Sequence, residues 1–458
     1  MSPSLTLHRP SSLKETLTLF LPLIFSSLSG ILMIFSDRIF ISHYSLVSLK
    51  AITAAQYFCM VFQSAFSRVT TTSQVCISSC VGKGAQSEAG PFCWQMIYFS
   101  ILSIIITLPI SYLLIPYLFT KQEIAFEGLK YFKILIWGNF LFPLGSSLGA
   151  YFIGIGKTKI VGVCFAMVHL VNILMDYLLI FGWQNLFPPL GIKGAALATI
   201  ISQSLFCLFL LCCFIFFNQH DLYNTRSWKF NKNLFKKAFW LGTPKSLSKM
   251  SILVAWAASV KLVTQLEGAH LLILSVGSSL WYLFSPLNQA LEQVLTTQVA
   301  FYKARNQIDL IWKSVRSAVM LVIVKFLCIG LLIFIGLSPF LHFFIQEEIS
   351  PQSLHWIQLS VVWLWIFLFF EGLASISSGI VTGIKDTFFI LKMNLIINWP
   401  TIFLPFYLAF YIWHCPPDVV WMLPWVCVIV AGSICFIRAR IKLQRLSTKQ
   451  PQLKVDAA

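Results

Sequence analysis

Charge is what this chain of 458 residues has least of: Asp, Glu, Lys and Arg make up 11% of it, against roughly 25% in an average soluble protein. Acids are the scarcer sign, with 16 Asp and Glu facing 33 Lys and Arg, while hydrophobic residues account for 58%. So small a polar complement cannot cover so much apolar side chain, and a water-soluble fold is excluded. The residue patterns of an enzyme are missing too: there is no His-Glu-x-x-His pair, no phosphate-cradling Gly loop and no Ser-centred elbow. The 12 cysteines lie mostly inside apolar runs, without zinc-ligand spacing or a nearby His, and read as small buried residues. The net charge of +17 does not point to a nucleic-acid partner, because the basic residues fall between apolar runs and do not line one soluble face.

What is present is a succession of apolar runs, each long enough for the roughly 20-residue helix that crosses a bilayer. Helices are expected near 15–36, 51–80, 92–118, 128–153, 160–181, 194–217, 238–262, 270–300, 317–337, 357–381, 390–413 and 419–437. Such segments must satisfy their backbones internally, and the short alternating strands of a barrel are absent. Lys and Arg crowd on one side of the alternating loops, as at Lys157, Lys159, Arg226, Lys236, Lys303, Arg316 and the tail from Arg438 to Lys454. The other side has Arg38, Lys50, Lys121, Lys130, Lys133, Lys193 and Lys261. Both termini are therefore expected in the cytoplasm, in a cytoplasmic (inner) membrane.

Residues 218–237 form a polar stretch at mid-chain and read as a linker. It separates an amino-terminal six-helix lobe (1–217) from a carboxyl-terminal one (238–437), with a basic tail at 438–458. Three echoes recur at nearly one spacing: Leu21-Pro22 with Thr243-Pro244, Val69 to Thr72 with Val294 to Thr297, and Gly154 to Thr158 with Gly383 to Thr387. The expected fold is an all-α integral membrane protein of twelve transmembrane helices. Its two lobes would be related by a pseudo-twofold axis along the membrane normal, a transporter arrangement.

Ionisable groups inside such helices cost roughly 2.5 to 3.5 kcal/mol each and need a reason to be there. Asp37, Arg68, His169, Asp176, Glu292, Lys325 and Glu371 are the candidates. Asn172 and Asp176 stand one turn apart and share a helix face, so they can converge on one ligand. From spacing alone, Asp176 reads equally as a group solvated near Gly182 and Trp183. Arg68 and Glu292 lie deep in their helices and are candidates for an ion pair between the lobes, with separate snorkelling or local pairing as the alternative. Lys325 and His169 read as snorkelling or packing residues.

The run from Val171 to Gly182 (VNILMDYLLIFG), followed by Pro189 to Thr199 (PLGIKGAALAT), resembles the signature of multidrug and toxic compound extrusion (MATE) transporters, closest to the DinF-like branch. Ser36 to Ile41, Val81 to Ala85 and Gly379 to Thr387 carry the likeness across the chain. The resemblance implies a cation site of Asp37, Asn172, Asp176, Thr199 and the Ala195 carbonyl in the first lobe. Its oxygen-rich donors suit Na+ or a shared proton. Of these, Asp37, Asn172, Asp176 and Thr199 would be the metal ligands if Na+ is the coupling ion. Glu371 matches the helix-ten carboxylate of NorM-type members, with Glu in place of Asp, and the resemblance implies a second coupling or substrate group there; a carboxylate paired locally or facing water is the alternative. Residues 237–263 contain no acid, so a second complete site is not expected.

The implied function is H+- or Na+-coupled export of organic, cationic or amphipathic compounds by alternating access. The chain would be a monomer with no cofactor beyond the coupling ion, with small organic substrates and membrane lipid as its partners. A lipid or lipid-linked-sugar flippase of the same superfamily is the alternative, and an enzyme is not expected.

Overall fold

The computed structural model describes all residues except 1–4, 119–121, 184–187, 217–219, 267–268, 345–349 and 456–458. Lys121 and positions 218–219 of the expected linker therefore lie outside the described residues. The chain divides into two compact units: residues 18–246 form one, and residues 247–458 with 1–17 form the other.

In chain order the helices of the first unit are α1 (Leu13–Tyr44, whose first turn counts with the other unit), α2 (Leu46–Thr72), α3 (Gln74–Lys83), α4 (Ala89–Leu118), α5 (Gln122–Trp137), α6 (Leu141–Gly154), α7 (Thr158–Phe181), α8 (Ile192–Phe216), the short α9 (His220–Tyr223) and the first half of α10 (Lys232–Val263). The second unit takes the rest of α10, then α11 (His270–Ala304), α12 (Ile308–Phe344), α13 (Pro351–Gly383), α14 (Thr387–Asn398), α15 (Leu404–Tyr407) and α16 (Trp425–Val455). Two π-helical turns, Trp399–Phe403 and Leu408–Ile412, flank α15 and continue α14 into one long rod.

Among the described residues, ten helices are long and apolar enough to cross a bilayer. Their outer faces carry large bare side chains such as Ile105, Leu113, Leu331 and Phe334. Water would not tolerate such a surface and lipid would. The chain is thus an all-α, multi-pass membrane protein. The sequence-expected segment 51–80 falls on α2 plus α3, and 128–153 falls on α5 plus α6, with turns at Ser73 and at Gly138–Phe140.

Inside the second unit, Trp421 is fully buried among Phe367, Phe406 and Leu364, with Trp256 packed against the cluster. Two polar ties brace this apolar body. Asp386, in the turn between α13 and α14, holds Lys442 Nζ at 2.7 Å and Arg438 Nε at 3.0 Å. Burial would raise the Asp386 carboxyl, but these two cations outweigh it and hold it below the usual carboxylate range. At the start of α1, Glu15 is fully buried. It accepts from Ser11 N at 2.7 Å, Tyr302 Oη at 2.7 Å, Leu5 N at 3.1 Å and Gln298 Nε2 at 3.3 Å. Four donors on one carboxylate satisfy it without water and dock residues 5–17 onto α11.

Candidate cation site

The site is built on a parallel pairing of α1 and α7. Thr158 Oγ1 donates to the Thr18 carbonyl at 3.5 Å. Gly162 lies so close to Pro22 that an added Cβ would stand 2.6 Å from the Pro22 carbonyl oxygen. Ser29 Oγ meets His169 Nδ1 at 2.7 Å, and the Phe40 ring meets those of Tyr177 and Phe181 edge-on at 6.0 and 6.3 Å. Positions 18, 22 and 29 thus face 158, 162 and 169, in the four- and seven-residue steps of a seam between parallel helices. One further heptad along α7 is Asp176, and the facing stretch of α1 is Ser36-Asp37.

The Asp37 and Asp176 carboxyls are interacting neighbours there. Asp37 is 8% exposed, and Asp176 and Asn172 are fully buried, so the reading of Asp176 as a solvated end group fails. Neither oxygen of Asp176, nor Oδ1 of Asp37, nor either amide atom of Asn172 has a hydrogen-bond partner among the described residues. Each such orphan costs about 1–3 kcal/mol. Two carboxylates cannot satisfy one another unless a proton lies between them or a cation bridges them.

The α7–α8 turn delivers the remaining donors. Leu190 N donates to the Leu179 carbonyl at 3.0 Å and Gly191 N to the Ile180 carbonyl at 3.2 Å, folding the chain back on the end of α7. Gly191 has φ +55°, and a Cβ on Gly194 would fall 2.4 Å from the Leu179 oxygen. Only glycine fits both demands, which accounts physically for the Gly-Ile-Lys-Gly run. The turn seats Ala195 beside Asp37, where the two line a cavity of about 10 Å³ with Arg38, Ile52, Gln56 and Tyr131. That is the room of one water or one bare ion. Thr199 Oγ1 donates to the Ala195 carbonyl at 3.0 Å, so hydroxyl and carbonyl are tied together and the hydroxyl lone pairs stay available.

Of the five residues expected here, Asp37, Asp176 and Ala195 converge. Asn172 lies one turn back on the same buried face, and Thr199 reaches the site through Ala195. Gln56 and Tyr131, joined by a hydrogen bond of 3.1 Å, were not foreseen. The only hint of Gln56 was an amide within an otherwise weakly polar stretch of α2. Na+ fits the donor set, since every orphaned group except the Asn172 amide nitrogen is a hard oxygen.

In the second unit Glu371 is half-buried and accepts from Asn288 Nδ2 at 2.7 Å, Ser285 Oγ at 2.8 Å and Trp281 Nε1 at 3.3 Å. Lys325, read as a snorkelling or packing residue, donates to Asn288 Oδ1 and to the Leu368 carbonyl, the latter at 3.5 Å. Glu292 accepts from Ser378 Oγ at 2.8 Å within its own unit, and Arg68 stands near the end of α2 in the other.

Residues 22–178 match the MatE family model. A probable multidrug resistance protein NorM of Thermotoga maritima is 23% identical over 391 residues, 82% of this chain and 81% of that protein. Its namesake from Agrobacterium fabrum is 24% identical over 405 residues, 85% of each. Among solved structures, a MOP superfamily transporter from Pyrococcus furiosus superposes with a TM-score of 0.81 at 18% identity, covering 96% of this chain and 97% of that one. An outward-facing multidrug resistance MATE family transporter gives a TM-score of 0.83 at 16% identity, with 96% and 97% covered. The fold is the MATE fold.

Proposed function

We propose that this protein is a MATE-family transporter, an H+- or Na+-driven antiporter of the inner membrane that exports organic cations or amphipathic compounds by alternating access, with both termini in the cytoplasm. The observation that carries the reading is the Asp37–Asp176 pair, two buried carboxyls of which Asp37 Oδ1 and both Asp176 oxygens have no hydrogen-bond partner among the described residues. Such a pair exchanges one positive charge as a unit. A proton would sit between the two carboxyls; Na+ would draw on Asp37, Asp176, Asn172 and Thr199 with the Ala195 carbonyl. Inward movement of one charge releases about 2.3 kcal/mol per 100 mV, enough for a roughly fifty-fold gradient of a neutral solute. Bound ion and cationic cargo compete for one electrostatic environment, so entry of the first disfavours retention of the second. The relatives named for multidrug resistance agree with an organic cargo, although they bear the NorM name and not the DinF one.

Purified protein in liposomes, given a proton or a sodium gradient in turn with a fluorescent organic cation as cargo, tests this. Wild type should take up dye under one gradient, and Asp37→Asn and Asp176→Asn should lose at least about tenfold of that rate. Undiminished driven uptake in both variants would overturn the coupling role, and lipid flipping without dye uptake would overturn the export reading.

A further inference from the structure

We infer that Lys325 is the resident counter-charge of the Glu371 carboxylate, held to it through the Asn288 side chain, and that it sets which organic cations that carboxylate admits. This rests on the reading of Glu371 as a substrate-facing group. Lys325 belongs to the packed stripe of α12: Ala318, Val322 and Ile329, at the four- and three-residue steps around it, are all buried. A lysine in such a stripe is expensive unless a negative charge answers it. The answering group is Glu371, whose charge Lys325 feels. The Asn288 carboxamide joins them, its oxygen accepting from Lys325 and its nitrogen donating to Glu371 Oε2 at 2.7 Å. An amide donating to an anion and accepting from a cation is polarised in one sense by both, so the three groups act as one network.

The opposite oxygen of Glu371 points to a different environment. Oε1 accepts from Ser285 and from the indole of Trp281. Trp281 is itself half-buried, and its neighbour Tyr282 is 52% exposed. A carboxylate held beside a half-buried indole can recognise organic ammonium and phosphonium ions by charge and ring contact. With Lys325 in place the site starts neutral, so an incoming monocation leaves one net positive charge and a dication leaves two. The lysine thereby weakens binding of every cation and penalises dications more, which favours large, weakly hydrated monocations whose affinity comes from ring contact.

The test is binding of tetraphenylphosphonium, and of an aromatic dication of similar size, to the full-length protein in detergent. Lys325→Gln should tighten the monocation by roughly tenfold and the dication by more, as removal of one nearby positive charge requires. Lys325→Arg should bind like wild type. Glu371→Gln should weaken both ligands, because Lys325 is then an unanswered positive charge, and adding Lys325→Gln to it should recover part of the loss. Should Lys325→Gln not fold, Lys325→Met, which suits the apolar stripe, takes its place. A folded Lys325→Gln or Lys325→Met variant with unchanged or weaker affinity overturns the inference, as does a double variant that binds no better than Glu371→Gln alone. If wild type binds neither cation, the export reading fails and this inference with it; cation binding indifferent to Lys325 sinks only the latter.

Discussion

Asp37 on α1 and Asp176 on α7 present their carboxyls to each other across a parallel helix seam, with no donor from the rest of the described protein to either oxygen of Asp176. A pair arranged in this way is stable only with a cation or proton in it, and that gives it a signature in stability as well as in transport. Asp176→Asn supplies the missing donor and removes one buried charge. Thermal unfolding in detergent at pH 8 should leave this variant as stable as wild type or more stable by roughly 1–2 kcal/mol. Asp176→Ala opens a cavity and should be destabilised. Equal losses in the two variants would show that the pair is not strained.

The close approach at Gly162 predicts a steric effect that charge does not enter. A methyl group there meets the Pro22 backbone at 2.6 Å, whereas on Gly149 it meets nothing nearer than 3.9 Å. Gly162→Ala should cost about 1–3 kcal/mol, the usual penalty of overpacking, and should also slow ion-driven uptake, because the seam that carries Asp176 is pushed away from α1. Gly149→Ala should be neutral in both assays. Equivalent behaviour of the two would remove the seam from the account.

Glu15 holds the amino-terminal segment through Tyr302 and Gln298. Tyr302→Phe deletes a group that both donates to Glu15 and accepts from Ser11 N at 3.0 Å, and should cost about 1–3 kcal/mol. Limited proteolysis should then cut ahead of Leu13 faster than in wild type. An unchanged cleavage rate would mean that residues 5–12 are held by something else.

Asp386 predicts the acid side of the stability profile. Its native carboxyl titrates below the ordinary value because Lys442 and Arg438 outweigh the effect of burial. At pH values between the native and unfolded pKa, the unfolded chain binds more protons at this group. Its contribution is therefore complete above the unfolded value of roughly 3.9 and is lost as pH falls through the lowered native one. Both cations are about a third exposed, which limits the contribution to about 1 kcal/mol. Asp386→Asn should lower the melting temperature at pH 7 and narrow the gap to wild type as the solution is acidified below pH 4. A gap that does not change with pH would assign the loss to packing.

The helical membrane class was legible in the scarcity of charge, and the heart of the site in two features: acids inside apolar runs, and the one-turn step from Asn172 to Asp176. Other parts left no such trace. The turns at Ser73 and Gly138 interrupt runs whose hydropathy is continuous, so periodicity gave no boundary. Glu15 sits in the first turn of α1, where an acid is already explained by the helix dipole, and its partners lie more than 280 positions away. The charge of Lys325 is legible in the sequence but its tie to Glu371 is not, because Asn288 is uncharged and becomes informative only once α11 is laid against α13.

The matched steps of α1 and α7 have a consequence for how such a chain can change over generations. A residue inserted between Gly162 and Asp176 would leave the hydropathy of the span untouched and its length adequate. It would nevertheless swing everything beyond it through about 100°, aiming the second acid toward lipid. Substitutions can drift along this span, but its phase has to be inherited intact.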